Sequence, residues 1–167
     1  MIDYFAYGSN MARDRLQARV GEVEFVGVAQ ARGFAHSFTK LGRDGTGKGN
    51  ITLDRHGVVH GVVYRLTADQ MVELRRYEGG YEQFSLTVTV MVPMAPVPPV
   101  ASSATQNAAG APGHRVESFR AMRPVDPLRP TRQYVAFYEQ AMREHDLPRE
   151  YCSFILEQAR TLWRTAP

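Results

Sequence analysis

A short motif near the start of the chain has residues suited to binding a ligand through the backbone. Tyr-Gly-Ser-Asn at residues 7–10 stands between a predicted strand over residues 4–7 and a predicted helix over residues 11–20. Asn10 is the predicted N-cap of this helix, and Gly21 is the predicted residue just after its end. Successive backbone N–H groups in such a turn, aimed by a helix start, can bind an anion or an oxyanion. Gly8 permits a ligand to approach the backbone closely. An ordinary strand-to-helix turn is the alternative explanation.

Glu78 is the candidate for a general base. A helix opened by the capping box of Thr67 and Gln70 is predicted to run to about Tyr77. Glu78 lies four residues after Leu74, so the helical spacing places its carboxylate on the inward face. Desolvation and the dipole at the helix C-terminus both raise the pKa of such a group, toward the range where a general base works. The alternative is that the chain turns and leaves this carboxylate in solvent.

A glycine-rich loop predicted over residues 42–50 has the spacing of a phosphate-binding loop without its other requirements. Gly42, Gly47 and Lys48 are spaced as in that loop, but Gly49 stands where a serine or threonine would hold Mg²⁺. The residues after it, 51–53, predict a strand rather than the helix whose N-terminus meets the phosphate. Nucleotide binding is therefore disfavoured.

Nucleophilic and metal chemistry are also poorly supported. The one cysteine, Cys152, lies in a predicted amphipathic helix, where a small apolar core role is the usual one. The sequence has no Gly-x-Ser-x-Gly motif, and its five histidines form no tight cluster with carboxylates. We therefore predict no metal site.

The elements around these motifs predict one α+β domain spanning residues 1–167. Strands dominate the first two-thirds of the chain and helices the last third. Strands are predicted near residues 23–29, 33–41, 51–54, 58–66, 84–92 and 116–123, and the later helices over 131–144 and 148–164. Residues 93–114 hold five prolines and no Asp, Glu, Lys or Arg, which predicts a long Pro/Ala-rich loop.

Composition and charge disfavour a nucleic-acid module, a membrane protein and a secreted protein. The net charge is +3 and the basic residues are scattered, whereas a nucleic-acid module gathers them on one element. No apolar run is long enough for a membrane span, and no secretory signal is visible. The single cysteine fits a reducing compartment, so we expect a cytoplasmic protein that binds neither nucleic acid nor membrane. The sequence leaves its oligomeric state open.

Together these residues resemble the γ-glutamylcyclotransferase family. The N-terminal segment, Tyr4-Phe-Ala-Tyr-Gly-Ser-Asn-Met11, is similar to the family signature. Further similar segments are His60–Leu66, Tyr77-Glu78-Gly79 with Tyr81, Pro130–Tyr134 and Leu147–Tyr151. The resemblance covers most of residues 4–92 and 116–156.

The resemblance implies a small mixed β-barrel flanked by helices and a cofactor-free reaction. The α-amine of a γ-glutamyl group attacks its own γ-carbonyl, which releases 5-oxoproline and a free amine or amino acid. Glu78 is implied as the acid/base that takes the proton from the α-ammonium. Residues implied to bind the γ-glutamyl group are Tyr4, Phe5, Ala6, Tyr7, Gly8, Ser9 and Tyr134, to which the turn argument above adds Asn10.

Two departures from the family pattern concern the leaving group. The loop 93–114 is longer than the hairpin usual in the family, and Asn50 replaces a residue that is commonly small; both are expected to border the pocket. Tyr-Gly-Ser-Asn also disfavours the glutathione-specific and the γ-glutamylamine branches. Two alternatives stay open: a non-catalytic member that binds a small acidic metabolite, and a biosynthetic enzyme that removes a γ-glutamyl cap from a natural product.

Overall fold

The central element is a closed β-barrel. The computed structural model describes residues 1–91 and 113–165, and the strands of these residues close in the order β1-β3-β2-β4-β5. The strands are β1 (Ile2–Ala6), β2 (Glu24–Leu41), β3 (Gly47–Leu66), β4 (Tyr81–Met91) and β5 (His114–Ala121). β1 and β5 pair in parallel and the other neighbours are antiparallel, so the barrel is mixed. The predicted α+β class and small mixed barrel flanked by helices are confirmed.

Four α-helices flank the barrel in the part of the chain that the structure describes. They are α1 (Arg13–Val20), α2 (Ala68–Tyr77), α3 (Arg132–Glu144) and α4 (Arg149–Thr165). α2 begins with the predicted capping box, in which Gln70 N donates to Thr67 Oγ1 at 3.1 Å and Thr67 N donates to Gln70 Oε1 at 2.9 Å. Among these helices, none has both the length and the apolar character needed to cross a membrane.

Two strands are longer than the sequence predicted. The expected breaks near residues 30–32 and 55–57 do not occur, and β2 and β3 instead form one long bent hairpin. Gly33, with a φ of +84°, lies at a register shift between the two strands. A bulge or bend changes the direction of a strand without ending it, so the local sequence near residues 30–32 and 55–57 wrongly suggested strand ends.

The glycine-rich segment forms the turn of this long hairpin. Gly42 N donates to Thr46 O at 2.8 Å, and β3 starts at Gly47. The predicted loop over 42–50 is therefore shorter, because residues 47–50 already belong to a strand. No helix follows the turn, which excludes a phosphate-binding loop of the strand-loop-helix kind. Of the predicted loop 93–114, residues 93–112 lie outside the described residues.

The start of α1 differs from the prediction. Asn10 was expected to cap it, but Ser9–Met11 form a 3-10 turn and Ala12 occupies the cap position without a side-chain bond. Gly21 ends the helix with a φ of +81°, as predicted. Asn10 does not cap α1 because its side chain is hydrogen-bonded to Tyr4, Arg19 and Glu78, as described below.

The core fills the barrel and extends under all four of these helices. Its largest fully buried side chains include Phe5, Met11, Leu16, Phe38, Ile51, Tyr64, Leu66, Met71, Leu74, Tyr138 and Ile155. This packing fixes the end of β1, the start of β3, the end of α2 and the first turns of α3 around one small cavity.

Candidate active site

A small cavity lies where the motif after β1 meets the end of α2. Its lining residues are Tyr4, Tyr7, Gly8, Ser9, Asn10, Gly49, Glu78, Tyr81, Phe119 and Tyr134. The predicted turn, the predicted carboxylate and the predicted tyrosine of α3 are thus brought together from three distant parts of the sequence. A wider, solvent-open mouth continues from the cavity and shares several of these residues.

Glu78 occupies the C-terminal cap of α2, and its side chain is only 12% exposed. Its Oε1 accepts a hydrogen bond from Asn10 Nδ2 at 2.9 Å and another from Arg19 Nη1 at 3.1 Å. Burial raises the pKa of Glu78 above its usual value, while the charge of Arg19 and the Asn10 bond oppose the rise. The net direction is upward, as the sequence predicted, and burial is the dominant cause.

Asn10 connects Glu78 to the rest of the cavity wall. Its Nδ2 donates to Tyr4 Oη at 3.1 Å as well as to Glu78, so both amide protons are used. Its Oδ1 accepts from Arg19 Nη1 at 2.9 Å. Arg19 therefore bridges Asn10 and Glu78, and the amide and the carboxylate are held in one fixed arrangement.

The backbone of the motif turns sharply beside Glu78. Met11 N donates to Gly8 O and Ala12 N to Ser9 O, which closes the 3-10 turn. These bonds leave the amides of Ser9 and Asn10 without an acceptor in the turn itself. Such N–H groups are available to a polar or anionic part of a ligand.

Gly8 lies directly against two tyrosine hydroxyls. A Cβ at this position would lie 3.3 Å from Tyr138 Oη and 3.6 Å from Tyr134 Oη. The φ of Gly8 is −114°, outside the left-handed region, so the backbone itself does not demand glycine. The absence of a side chain keeps the cavity open between the motif and α3.

The backbone of Gly49 forms hydrogen bonds with two tyrosines of the cavity wall, Tyr134 and Tyr81. Gly49 N donates to Tyr134 Oη at 3.0 Å, and Gly49 O accepts from Tyr81 Oη at 2.6 Å. A Cβ on Gly49 would lie 2.1 Å from Tyr138 Oη, so no larger residue fits without a shift. The strand β3 thereby fixes both tyrosine rings at the cavity wall.

Sequence reasoning missed several residues of this site. Gly49 was assigned to a loop, Tyr81 was noted only for its resemblance to the family pattern, and Arg19 and Phe119 were not considered. Arg19 lies on the same helix as Leu16 but reaches a residue far along the chain. The helix predicted directly after the motif was the one feature of the sequence that could have indicated a role for Arg19.

Three predicted residues lie elsewhere. Phe5 and Ala6 do not line the cavity, because both are packed in the core. Asn50 was expected to border the pocket and does not. It is buried, with Nδ2 donating to Thr39 Oγ1 at 3.0 Å and Oδ1 accepting from Ala121 N at 2.8 Å. Its side chain joins β2 to β5.

The remaining reactive side chains lie outside the cavity. Cys152 does not line it, and burial raises the pKa of its thiol, which disfavours the nucleophilic thiolate. His36 is buried behind the cavity between Tyr138 and Gln158. Across residues 1–91 and 113–165, no three His, Cys, Asp or Glu side chains are grouped as a metal site.

One family model and several solved structures are similar to this chain. Residues 4–106 match the family model of the gamma-glutamyl cyclotransferase, AIG2-like, proteins. No curated protein sequence matches the chain significantly.

Solved structures share the fold at low sequence identity. A protein named gamma-glutamyl cyclotransferase superposes with a TM-score of 0.74 at 21% identity, covering 91% of this chain and 84% of that one. An uncharacterized protein from Homo sapiens gives 0.72 at 24% identity, with the same two coverages of 91% and 84%. The yeast gamma-glutamyl cyclotransferase specific to glutathione gives 0.64 at 15% identity and covers 96% of each chain.

The barrel and its helices define a γ-glutamylcyclotransferase-like fold, since these structures share it over most of the chain. The chain belongs to the gamma-glutamyl cyclotransferase, AIG2-like, family, because the family model matches well over half of its residues.

Proposed function

We propose that the protein is a γ-glutamylcyclotransferase, which converts a γ-glutamyl compound into 5-oxoproline and a free amine or amino acid. The observation that carries the proposal is the buried carboxylate of Glu78, held by Asn10 and Arg19 at the wall of the cavity. The proposed γ-glutamyl-binding residues that line the same cavity are Tyr4, Tyr7, Gly8, Ser9, Asn10 and Tyr134.

The proposed reaction needs one acid/base group and a well-placed substrate. The carboxylate of Glu78 takes a proton from the α-ammonium, and the resulting amine attacks the γ-carbonyl carbon to form a new C–N bond. The C–N bond to the leaving amine then breaks as the protonated Glu78 gives its proton to that nitrogen. The attacking nitrogen, which still carries two protons, releases one to solvent, and the products are a neutral lactam and a free amine. Closure of a five-membered ring supplies the proximity of the reacting atoms, so no second substrate takes part.

The raised pKa of Glu78 suits both proton transfers. A carboxyl whose pKa lies nearer neutrality holds the proton of the ammonium more readily than an ordinary glutamate and still ionises between turnovers. The amides of Ser9 and Asn10 are available for the oxyanion that forms at the γ-carbonyl or for the substrate's α-carboxylate. Tyr4 and Tyr7 contribute neutral hydroxyls, since burial raises the pKa of both phenols.

Catalysis explains the site better than binding alone. A pocket that only bound an acidic metabolite would gain nothing from a buried carboxylate in its wall, because that charge repels an anionic ligand. A base that must be desolvated and positioned accounts for Glu78 directly.

The test is an assay for 5-oxoproline. The purified chain is incubated with γ-glutamyl amino acids, γ-glutamyl amines and glutathione, each with and without EDTA. We expect 5-oxoproline and the free amine in equal amounts from at least one donor, with no effect of the chelator. The absence of 5-oxoproline from every donor would refute the enzyme proposal, and binding without turnover would favour the non-catalytic alternative.

A further inference from the structure

The mouth of the cavity has an uneven charge distribution. Its lining includes one acidic residue, Glu78, and six cationic side chains. The cationic residues are Arg15, Arg19, Lys40, Arg43, Lys48 and Arg76. Among described residues, three of these cations have carboxylate partners within 4.0 Å. The pairs are Arg19–Glu78, Lys48–Asp44 and Arg76–Glu73.

Three cations at the mouth lack such a partner in the described chain, namely Arg15, Lys40 and Arg43. Of these, Arg15 donates to Ser9 Oγ and lies over the Phe137 ring, which leaves Lys40 and Arg43 as the two candidates to bind an anion. Residues 92–112 contain no Asp or Glu, so that segment has no side-chain carboxylate to offer. The mouth therefore carries uncompensated positive charge beside the reacting group.

The strand register makes this charge arrangement costly. Lys40 of β2 is paired directly opposite Lys48 of β3, and like charges in directly opposed positions destabilise a sheet. Lys40 Nζ also lies 5.0 Å from the centre of the Tyr81 ring, which lines the cavity. Burial lowers the pKa of Lys40, the charge of Glu78 and that of Asp44 oppose this, and the charges of Lys48 and Arg43 lower it further. An anion bound at the mouth would relieve this repulsion.

We propose that Lys40 and Arg43 form the leaving-group subsite and bind an anionic group carried by the leaving amine. The preferred substrates are then γ-glutamyl conjugates of acidic amino acids, which keep a side-chain carboxylate in addition to the α-carboxylate. The inference rests on the proposed function, because it describes the leaving group of that same reaction. Cationic leaving groups such as polyamines are disfavoured by the same repulsion.

The geometry also separates the two ends of the substrate. The inner cavity is lined by tyrosines, the Gly8 motif and Glu78, and it takes the γ-glutamyl group, whereas Lys40 and Arg43 line only the mouth. Arg43 is exposed and Lys40 is half-buried, so their attraction for an anion is screened by solvent. We therefore expect a preference of modest size that responds to salt.

The test compares two donors that differ by one charge. Values of kcat/KM for γ-glutamylglutamate and γ-glutamylglutamine are measured by 5-oxoproline release, with γ-glutamylalanine as a reference donor. We expect the glutamate conjugate to be favoured about three- to tenfold at about 20 mM salt, and less at about 300 mM salt, where screening is stronger. The two leaving groups have nearly the same shape, so the ratio isolates the charge.

Variants assign the preference to the subsite. In Lys40→Gln and Arg43→Gln the ratio of the two kcat/KM values should fall toward one, and in Arg55→Gln, an exposed arginine outside this lining, it should stay at the wild-type value. A ratio of one in the wild type, with γ-glutamylalanine still cyclised, overturns the inference and leaves the proposed function standing. Release of 5-oxoproline from none of the three donors overturns both together.

Discussion

Arg19 and Glu78 form a partly buried ion pair at the wall of the cavity, with Arg19 Nη1 3.1 Å from Glu78 Oε1. Burial raises the pKa of the carboxyl and the arginine charge lowers it, so the two effects oppose each other at one atom. The resulting pKa is above the usual value, yet below what burial alone would produce. This balance suits the proposed role of Glu78, in which it takes up a proton and also returns it.

Removing the charge of Arg19 should move the pH profile of the reaction. In Arg19→Met the opposing effect is lost, so the pKa of Glu78 rises further and the acid limb of the kcat/KM profile shifts to higher pH. Arg19→Lys keeps the charge and should retain most of the wild-type profile. An acid limb that stays in place in Arg19→Met would mean that this arginine does not tune the base.

Glu78→Gln should abolish cyclisation and leave the protein at least as stable at pH 7.5. Glutamine keeps the shape and an oxygen that accepts from Asn10 and Arg19, but it cannot take a proton. Because the folded-state pKa of Glu78 is raised, its stabilising contribution is complete below the unfolded pKa of about 4.3 and is lost as the pH rises through the folded value.

The two stabilities should therefore converge toward pH 4.5, where wild-type Glu78 gains its proton as well. Denaturant unfolding of both proteins at pH 4.5 and pH 7.5, beside the 5-oxoproline assay, checks these outcomes. Turnover by Glu78→Gln would remove Glu78 from the mechanism. A variant that is inactive and markedly less stable at pH 7.5 would make the ion pair with Arg19 its main role.

Gly8→Val should stop turnover in a folded protein. The added Cβ would lie 3.3 Å from Tyr138 Oη and 3.6 Å from Tyr134 Oη, and the two methyl groups need further room beside the space proposed for the γ-glutamyl group. Gly8→Ala should be milder, because only the Cβ has to be accommodated. We expect kcat/KM to fall about a hundredfold or more in the valine variant, with circular dichroism and Tm as measures of folding. Wild-type kinetics in Gly8→Val would reduce the motif to a structural turn.

His36 should make the fold sensitive to mild acid. Burial lowers its pKa to about 4, from a usual value near 6.5. The unfolded chain takes up the proton first, so stability is fully present above about pH 6.5 and falls as the pH drops toward 4, by roughly 1.4 kcal/mol per pH unit.

The neutral ring of His36 bonds to Tyr138 Oη at 3.0 Å and to Gln158 Oε1 at 3.1 Å. Denaturant unfolding between pH 4.5 and 7.5 should show a smaller slope in His36→Gln than in wild type. His56→Gln, at an exposed position, should keep the wild-type slope. Equal slopes in all three proteins would show that His36 takes up its proton without unfolding.

Local periodicity was sufficient to predict much of this protein. The capping box of Thr67 and Gln70, the alternation along β4 and the inward position of Glu78 four residues after Leu74 all follow from the repeats of helices and strands. The mixed barrel was predicted from the resemblance carried by residues 4–11, and the closed strand order confirms it. Signals of this kind extend over a few residues, which is why they can be read directly along the chain.

Tertiary structure alone decided which groups meet. Arg19 and Glu78 are 59 residues apart, and Gly49 and Tyr134 are 85 apart, yet both pairs are in hydrogen-bond contact. Asn10 looked like a helix cap because its local sequence allowed one, but bonds to Tyr4 and Glu78 engage its side chain. Closure of the barrel and the packing of helices on it set these distances, and long-range packing of this kind leaves no repeat in the sequence to reveal it.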